Sequence, residues 1–123
     1  MPIEDFYLDQ EKVTSGVRVA LTDREGKLTD DWLMVRSGHS DEVRAAMDLQ
    51  KREMRERIAA KISDNRDLFL EVQIALIASW SFDAKCTVKS KREFLTRAPH
   101  IADQIDTISG NVRLFFPDSV GSS

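Results

Sequence analysis

The sequence predicts a mainly α fold: a small helical bundle around a buried central helix, with an N-terminal β-hairpin. Three observations predict it. Val17, Val19 and Leu21 alternate with Arg18 and Ala20, the period of a half-buried strand. Residues 66 to 80 are apolar almost all round, and a helix with no polar stripe belongs in the middle of a core. Residues 88 to 97 and 99 to 109 carry helix start signals at their heads. At 123 residues the chain suits one domain, able to remove roughly two-thirds of its unfolded surface from water. The expected divisions are an N-terminal arm over 1–15, the hairpin over 16–37, the helical bundle over 40–110 and a flexible C-terminal tail over 111–123.

In the arm, Phe6, Tyr7 and Leu8 form the one apolar cluster among mixed charges, and no regular structure is assigned there. Trp32 to Arg36 reads as the partner of the first strand. Between the two lies Thr22-Asp23-Arg24-Glu25-Gly26-Lys27, a polar connection whose Gly26 can take a positive φ cheaply. Such a hairpin alone is marginal and needs a covering helix. Gly38 closes the second strand. Ser40 then starts a helix whose first-turn acids, Asp41 and Glu42, suit the positive end of its dipole.

That helix is expected to run to about Ile62. Val43, Met47, Met54, Ile58 and Ile62 recur at spacings of seven and four and form one apolar stripe, while Asp48 with Arg52 and Glu53 with Arg57 make i,i+4 pairs. Ser63-Asp64-Asn65 breaks the pattern. Arg66 to about Trp80 is then the central helix. Thr87 can cap the next helix, Ser90 and Glu93 offer a second capping-box start, and Pro99 sits at a first-turn position that needs no N–H donor. Ile101, Ile105 and Ile108 mark one face of the last helix, and Gly110 is expected as its left-handed cap.

Eighteen basic against twenty-one acidic residues leave a net charge of −3, which gives no general attraction to nucleic acid or to an anionic membrane. Basic clusters at Lys51, Arg52, Arg55 and Arg57 and at Lys89, Lys91, Arg92 and Arg97 are interleaved with Asp48, Glu53, Glu56 and Glu93, as solvated faces are. Neither nucleic acid nor membrane is an expected partner. The longest uncharged apolar stretch, Val72 to Trp80, is far short of the ~20 residues a bilayer span needs. Residues 1 to 10 lack the basic start and apolar run of a signal peptide.

No catalytic constellation stands out, so no enzyme activity is expected. His39-Ser40-Asp41 contains triad residue types, but sequence neighbours point apart and Ser40 has a capping role. The single Cys86 with His39 and His100 does not meet a zinc ligand set. No glycine-rich phosphate loop occurs. Neither a cofactor nor a metal is expected, and Cys86 reads as a small buried filler. The candidates are instead for partner binding: Leu114, Phe115 and Phe116 beyond the last helix, Trp32, and Arg52 and Arg55 on the long helix. The apolar trio is either a contact site or a tail folded back on the helices. Trp32 faces either the core or a partner, whereas Trp80 reads as core.

The stretch from Trp80 to Asp106 also carries a resemblance. Trp80, Phe82, Cys86, Thr87 and Ala98-Pro-His-Ile-Ala-Asp-Gln-Ile-Asp106 follow one another as in the tail assembly chaperones of long-tailed bacteriophages. Towards the N-terminus the likeness continues through Glu11, Lys12 and Gly16, through Trp32, Leu33, Val35, Arg36 and Gly38, and through Ser40, Asp41, Arg44, Ala45 and Ala46. It thus covers nearly the whole chain, its weight resting on order and spacing. Val88 stands where that family often has Pro, a change that a first-turn position accepts.

The resemblance implies a protein of the host bacterial cytoplasm that binds the phage tape measure protein, keeps it soluble and recruits tail tube subunits around it. Such chaperones are absent from the mature virion. Self-association is a further expectation left open, because an apolar helix face serves an internal core or a homotypic contact equally well. The alternative is a structural virion component, a minor tail or head-tail connector protein, which would remain in the particle.

Overall fold

The computed structural model describes residues 1–118. Its elements are a 3-10 turn at Ile3–Phe6, α1 (Gln10–Ser15), β1 (Val17–Thr22), β2 (Leu28–Val35), α2 (Asp41–Ala59), α3 (Arg66–Leu76), β3 (Ile77–Trp80), α4 (Val88–Arg97), α5 (Pro99–Ser109) and a 3-10 turn at Val112–Phe115. The strands make one antiparallel sheet in the order β1-β2-β3. The fold is therefore α+β, and the expectation of a mainly helical bundle with an appended hairpin is corrected by the third strand.

The correction has a local cause. The central helix does not run to Trp80. It ends at Leu76, and Ile77 turns extended at φ −86°, ψ 114°. A two-stranded hairpin leaves unpaired N–H and C=O groups along β2, and Ile77-Ala-Ser-Trp80 takes them up, with Leu33 opposite Trp80, Met34 opposite Ser79 and Val35 opposite Ile77. A short apolar run has the same composition whether it is buried helix or buried strand. Tertiary pairing decides between them.

Cations secure the helix-to-strand junction. The Arg36 N–H donates to the Leu76 carbonyl at 2.7 Å, and its guanidinium donates to the carbonyls of Ala75 at 2.8 Å, Ile77 at 3.3 Å and Thr14 at 3.0 Å. The Lys91 ammonium reaches the Ile77 carbonyl from α4 at 2.7 Å, even though burial lowers its pKa. Apart from the bond to Thr14, which ties in α1, these donors fill orphan carbonyls at the negative end of the α3 dipole. Arg36→Met keeps the aliphatic stem and removes the fork, and charge-assisted bonds of this kind set the expected loss at about 2 kcal/mol in urea denaturation.

At the N-terminus, residues 9 to 15 are structured where no regular element was assigned. The Asp9 side chain caps α1 by accepting from the N–H of Glu11 and Lys12, and Val13 is buried. The hairpin turn matches the sequence: Gly26 has φ +80°, and the Asp23 carboxylate accepts from the Glu25 and Lys27 N–H groups. Ser40 caps α2 through the Val43 N–H, Thr87 caps α4 through the Ser90 N–H, and Pro99 opens α5. The second start at Ser90 is not used, since that residue lies inside α4.

Two helix ends differ from expectation. Helix α2 stops at Ala59 because Lys61 adopts φ 60°, with the Ile62 N–H bonded to the Arg57 carbonyl and the Lys61 N–H to that of Ile58, a Schellman closure built on a lysine. Gly110 is right-handed, at φ −87°, ψ −7°, and not the left-handed cap expected. The chain continues into the Val112–Phe115 turn.

The core lies between the inner face of the sheet and the helices. Leu33, Val35, Val43, Leu76, Ile77, Leu95 and Ile105 are essentially inaccessible. Helix α3 sits among α2, α4, α5 and β3. Trp80 packs edge-on against Phe82 and Phe94 with centroids 5.2 and 5.8 Å away, while its indole N–H reaches the Ala84 carbonyl at 2.7 Å.

Candidate protein-binding face

The candidate partner-binding residues fall on three elements. Leu114, Phe115 and Phe116 do not form a flexible tail. The Asp9 N–H donates to the Phe115 carbonyl at 2.8 Å, and the Lys12 ammonium bonds the Phe116 carbonyl at 3.0 Å and the Asp118 carboxylate at 2.6 Å. Phe115 is wholly buried and presents no surface to a partner. Leu114 is 41% exposed and Phe116 is half-buried. The trio is thus folded back, the second of its two readings, and it docks on α1. Residues 119–123 of the expected tail lie outside the described residues.

Trp32 is half-buried on β2, on the face opposite Leu33 and Val35. The Arg18 guanidinium lies over its ring, 5.0 Å from the centroid. Arg52 and Arg55 are exposed on α2, and neither carries an ion pair among the described residues. Arg57 does not pair with Glu53. It makes a bidentate bridge to Asp67 on α3, both contacts at 2.7 Å, which ties the two helices together where they meet.

Helix α2 presents an unpartnered apolar surface. Of its nineteen residues only Val43 is buried. The stripe expected to face the core instead diverges from it: Met47 is 38% exposed, Ile58 67% and Ile62 51%. Phe69 on α3, expected inside a buried helix, is 55% exposed. With Gln50, Lys51, Met54 and Arg55 it lines a groove of about 320 Å³. In sequence, Arg52 and Arg55 of this helix stand out for partner binding but its apolar residues read as core, because an apolar stripe looks the same whether its cover comes from its own chain or from another. A signal was nonetheless present in Arg44, Lys51 and Arg55, which repeat at the same spacing three residues ahead of Met47, Met54 and Ile58.

Ion pairs fix the α2–α3 corner. Arg66 bonds the Asp64 carboxylate through Nε at 3.1 Å and a terminal nitrogen at 2.9 Å, and this holds the Asp64 pKa down to about 2. The bond from Arg57 lowers that of Asp67. Both carboxyls bind protons less readily folded than unfolded, so their contribution is present above the ordinary value of 3.8 and is lost as pH falls through the folded values. In a carboxyl-carbon NMR titration Asp64 is expected to have its midpoint near pH 2. Arg66→Gln removes the guanidinium but keeps the N–H of residue 66 that also bonds Asp64, so the midpoint should move up towards the ordinary aspartate range, and an unchanged midpoint would mean that the Arg66 side chain is not the cause.

Chemistry elsewhere is sparse. Burial raises the pKa of the Cys86 thiol, which keeps it protonated, and the residue is half-buried. His39 Nδ1 lies 3.4 Å from the Arg44 guanidinium, while Ser40 is engaged as a cap. Among the described residues no group of three or more His, Cys, Asp or Glu side chains is placed to hold a metal ion, and no helix is long and apolar enough to cross a membrane. No family model, curated protein or solved structure matches this chain.

Proposed function

We propose that this chain is a phage tail assembly chaperone, which binds the tape measure protein through the outer face of α2 and α3 and recruits tail tube subunits around it. Two things support the reading. One is the ordered resemblance that runs from Glu11 to Asp106. The other, the observation that carries it, is an apolar row on which Met47 and Ile58 are exposed and Met54 is half-buried, on a helix that is otherwise highly charged, since accessible apolar side chains beside charges mark a contact surface.

A chaperone displaced by each arriving tube subunit needs contacts that dissociate readily, and small apolar anchors with polar rims suit that better than one extensive interface. The host cytoplasm is the proposed site of action, with departure before the virion is complete. Leu114 and Phe116 stay secondary contact candidates, whereas Phe115 belongs to the core.

The test is a tagged pull-down from infected or induced cells, identified by mass spectrometry, with a search for the chain in purified particles. Recovery with tape measure or tube protein and absence from particles is expected. Fixed copy number in particles would overturn the reading in favour of a structural virion component. Ile58→Ser with Phe69→Ser should abolish tape measure solubilisation without lowering the melting temperature, because both side chains are more than half exposed.

A further inference from the structure

Two parallel rows run along the outer face of α2. At about 100° per residue, Met47, Met54 and Ile58 fall on one line, beside the crevice that Phe69 closes from α3. Arg44, Lys51 and Arg55 fall on the next line outward, each three residues before its apolar neighbour. All three cations are exposed and without an ion pair among the described residues. Of the acids of α2, Glu53 lines the opposite crevice with Arg57 and Glu71 and Glu56 lies beyond the cation row, while Asp48, seven residues before Arg55, stands on the outer edge of that row.

We infer that this face takes an amphipathic helix whose polar flank is acidic, an inference that rests on the proposal of α2 as a docking surface. The apolar row spans twelve residues, Met47 to Ile58, roughly 16 Å of helix, which matches about three turns of a partner helix. An extended strand would need unpaired backbone groups, and the backbone of a helix pair is already bonded. Three cations against the single acid of that rim, Asp48, select carboxylates and repel a basic flank. A second copy of this chain fits less well, because a two-fold antiparallel pairing of α2 sets each cation row against its own kind. Duplex nucleic acid would satisfy the cations but leave the apolar row without a partner.

The test is fluorescence anisotropy of the full chain with two labelled helical peptides of about five turns, each with Leu on one face and with either Glu or Lys on the flanks. The Glu peptide is expected to bind and to weaken with salt, and the Lys peptide to bind at least tenfold more weakly. Reversing the row with Arg44→Glu, Lys51→Glu and Arg55→Glu should invert that preference. Lys51→Gln with Arg55→Gln, a milder change at exposed positions, should weaken the Glu peptide severalfold with melting unchanged.

Equal binding of the two peptides, no binding of the Glu peptide, displacement of it by duplex DNA, or dimerisation that Ile58→Ser abolishes would overturn the inference. The chaperone reading fails separately. A pull-down that recovers tape measure protein while the peptides do not discriminate removes only the acidic partner. Peptide discrimination without tape measure recovery removes the chaperone and keeps the site.

Discussion

Phe115→Ala is expected to lower the stability of the folded chain by about 3 to 5 kcal/mol, the range for truncating a fully buried phenylalanine. Phe115 is the largest of the completely inaccessible side chains. Its backbone carbonyl holds the Asp9 N–H, immediately before the α1 residues whose Val13 is also buried. Removing the ring empties a site between the C-terminal turn and α1 and leaves the carbonyl bond without packing around it. Urea denaturation followed by tryptophan fluorescence measures the loss. Leu114→Ala, at a residue 41% exposed, should cost under about 1 kcal/mol. Equal effects at the two positions would mean that the turn is not packed as described.

Gly16→Ala is expected to cost about 3 kcal/mol or more, from two independent sources. Gly16 has φ 93° and ψ 173°, a region that residues with a Cβ scarcely enter. A Cβ there would also stand 2.8 Å from the backbone atoms of Val35, and the backbone of a paired strand cannot move aside cheaply. Gly26→Ala separates the two sources. That residue has φ 80° but nothing within 4 Å of an added Cβ, so it should lose only about 1 kcal/mol, the conformational part. The same denaturation series compares them, and equal losses at 16 and 26 would show that the close approach of Gly16 to β2 is not a tight constraint.

What was legible in the sequence depended on how local the determining force was. Caps were legible because a hydroxyl and an N–H three residues on satisfy each other whatever lies around them, so Ser40 and Thr87 mark observed helix starts, and Pro99 marks another because a first-turn position needs no N–H donor. The turn at Gly26 was legible for the same reason. The change at Ile77 was not, because its cause is the unpaired flank of β2, more than forty residues earlier in the chain. Gly110 failed in the other direction: a glycine after a helix permits a left-handed cap without requiring one, and the following residues form their own turn. The end of α2 at Ala59 rests on a lysine in the left-handed region, which no composition rule favours.

The candidate site was half legible. Arg55 lies in the groove with Met54 and Phe69, and Arg52 is exposed on the same helix. The apolar partners of those cations were assigned to the interior instead, because their spacing is what a core-facing helix also requires. Trp32 illustrates the same ambiguity on the sheet, where Arg18 covers one side of its ring and the side chain is only partly accessible.

The clasp between α1 and the C-terminal turn joins positions 104 and 106 residues apart, through Lys12 to Phe116 and to Asp118. Such a closure cannot assist the early steps of folding. The β1–β2 hairpin and the α2–α3 corner form from neighbouring segments, whereas the clasp must wait until both of its halves have a surface to meet on. Its closure carries the burial of Phe115, so the two ends of the chain gain their order together, in one late step.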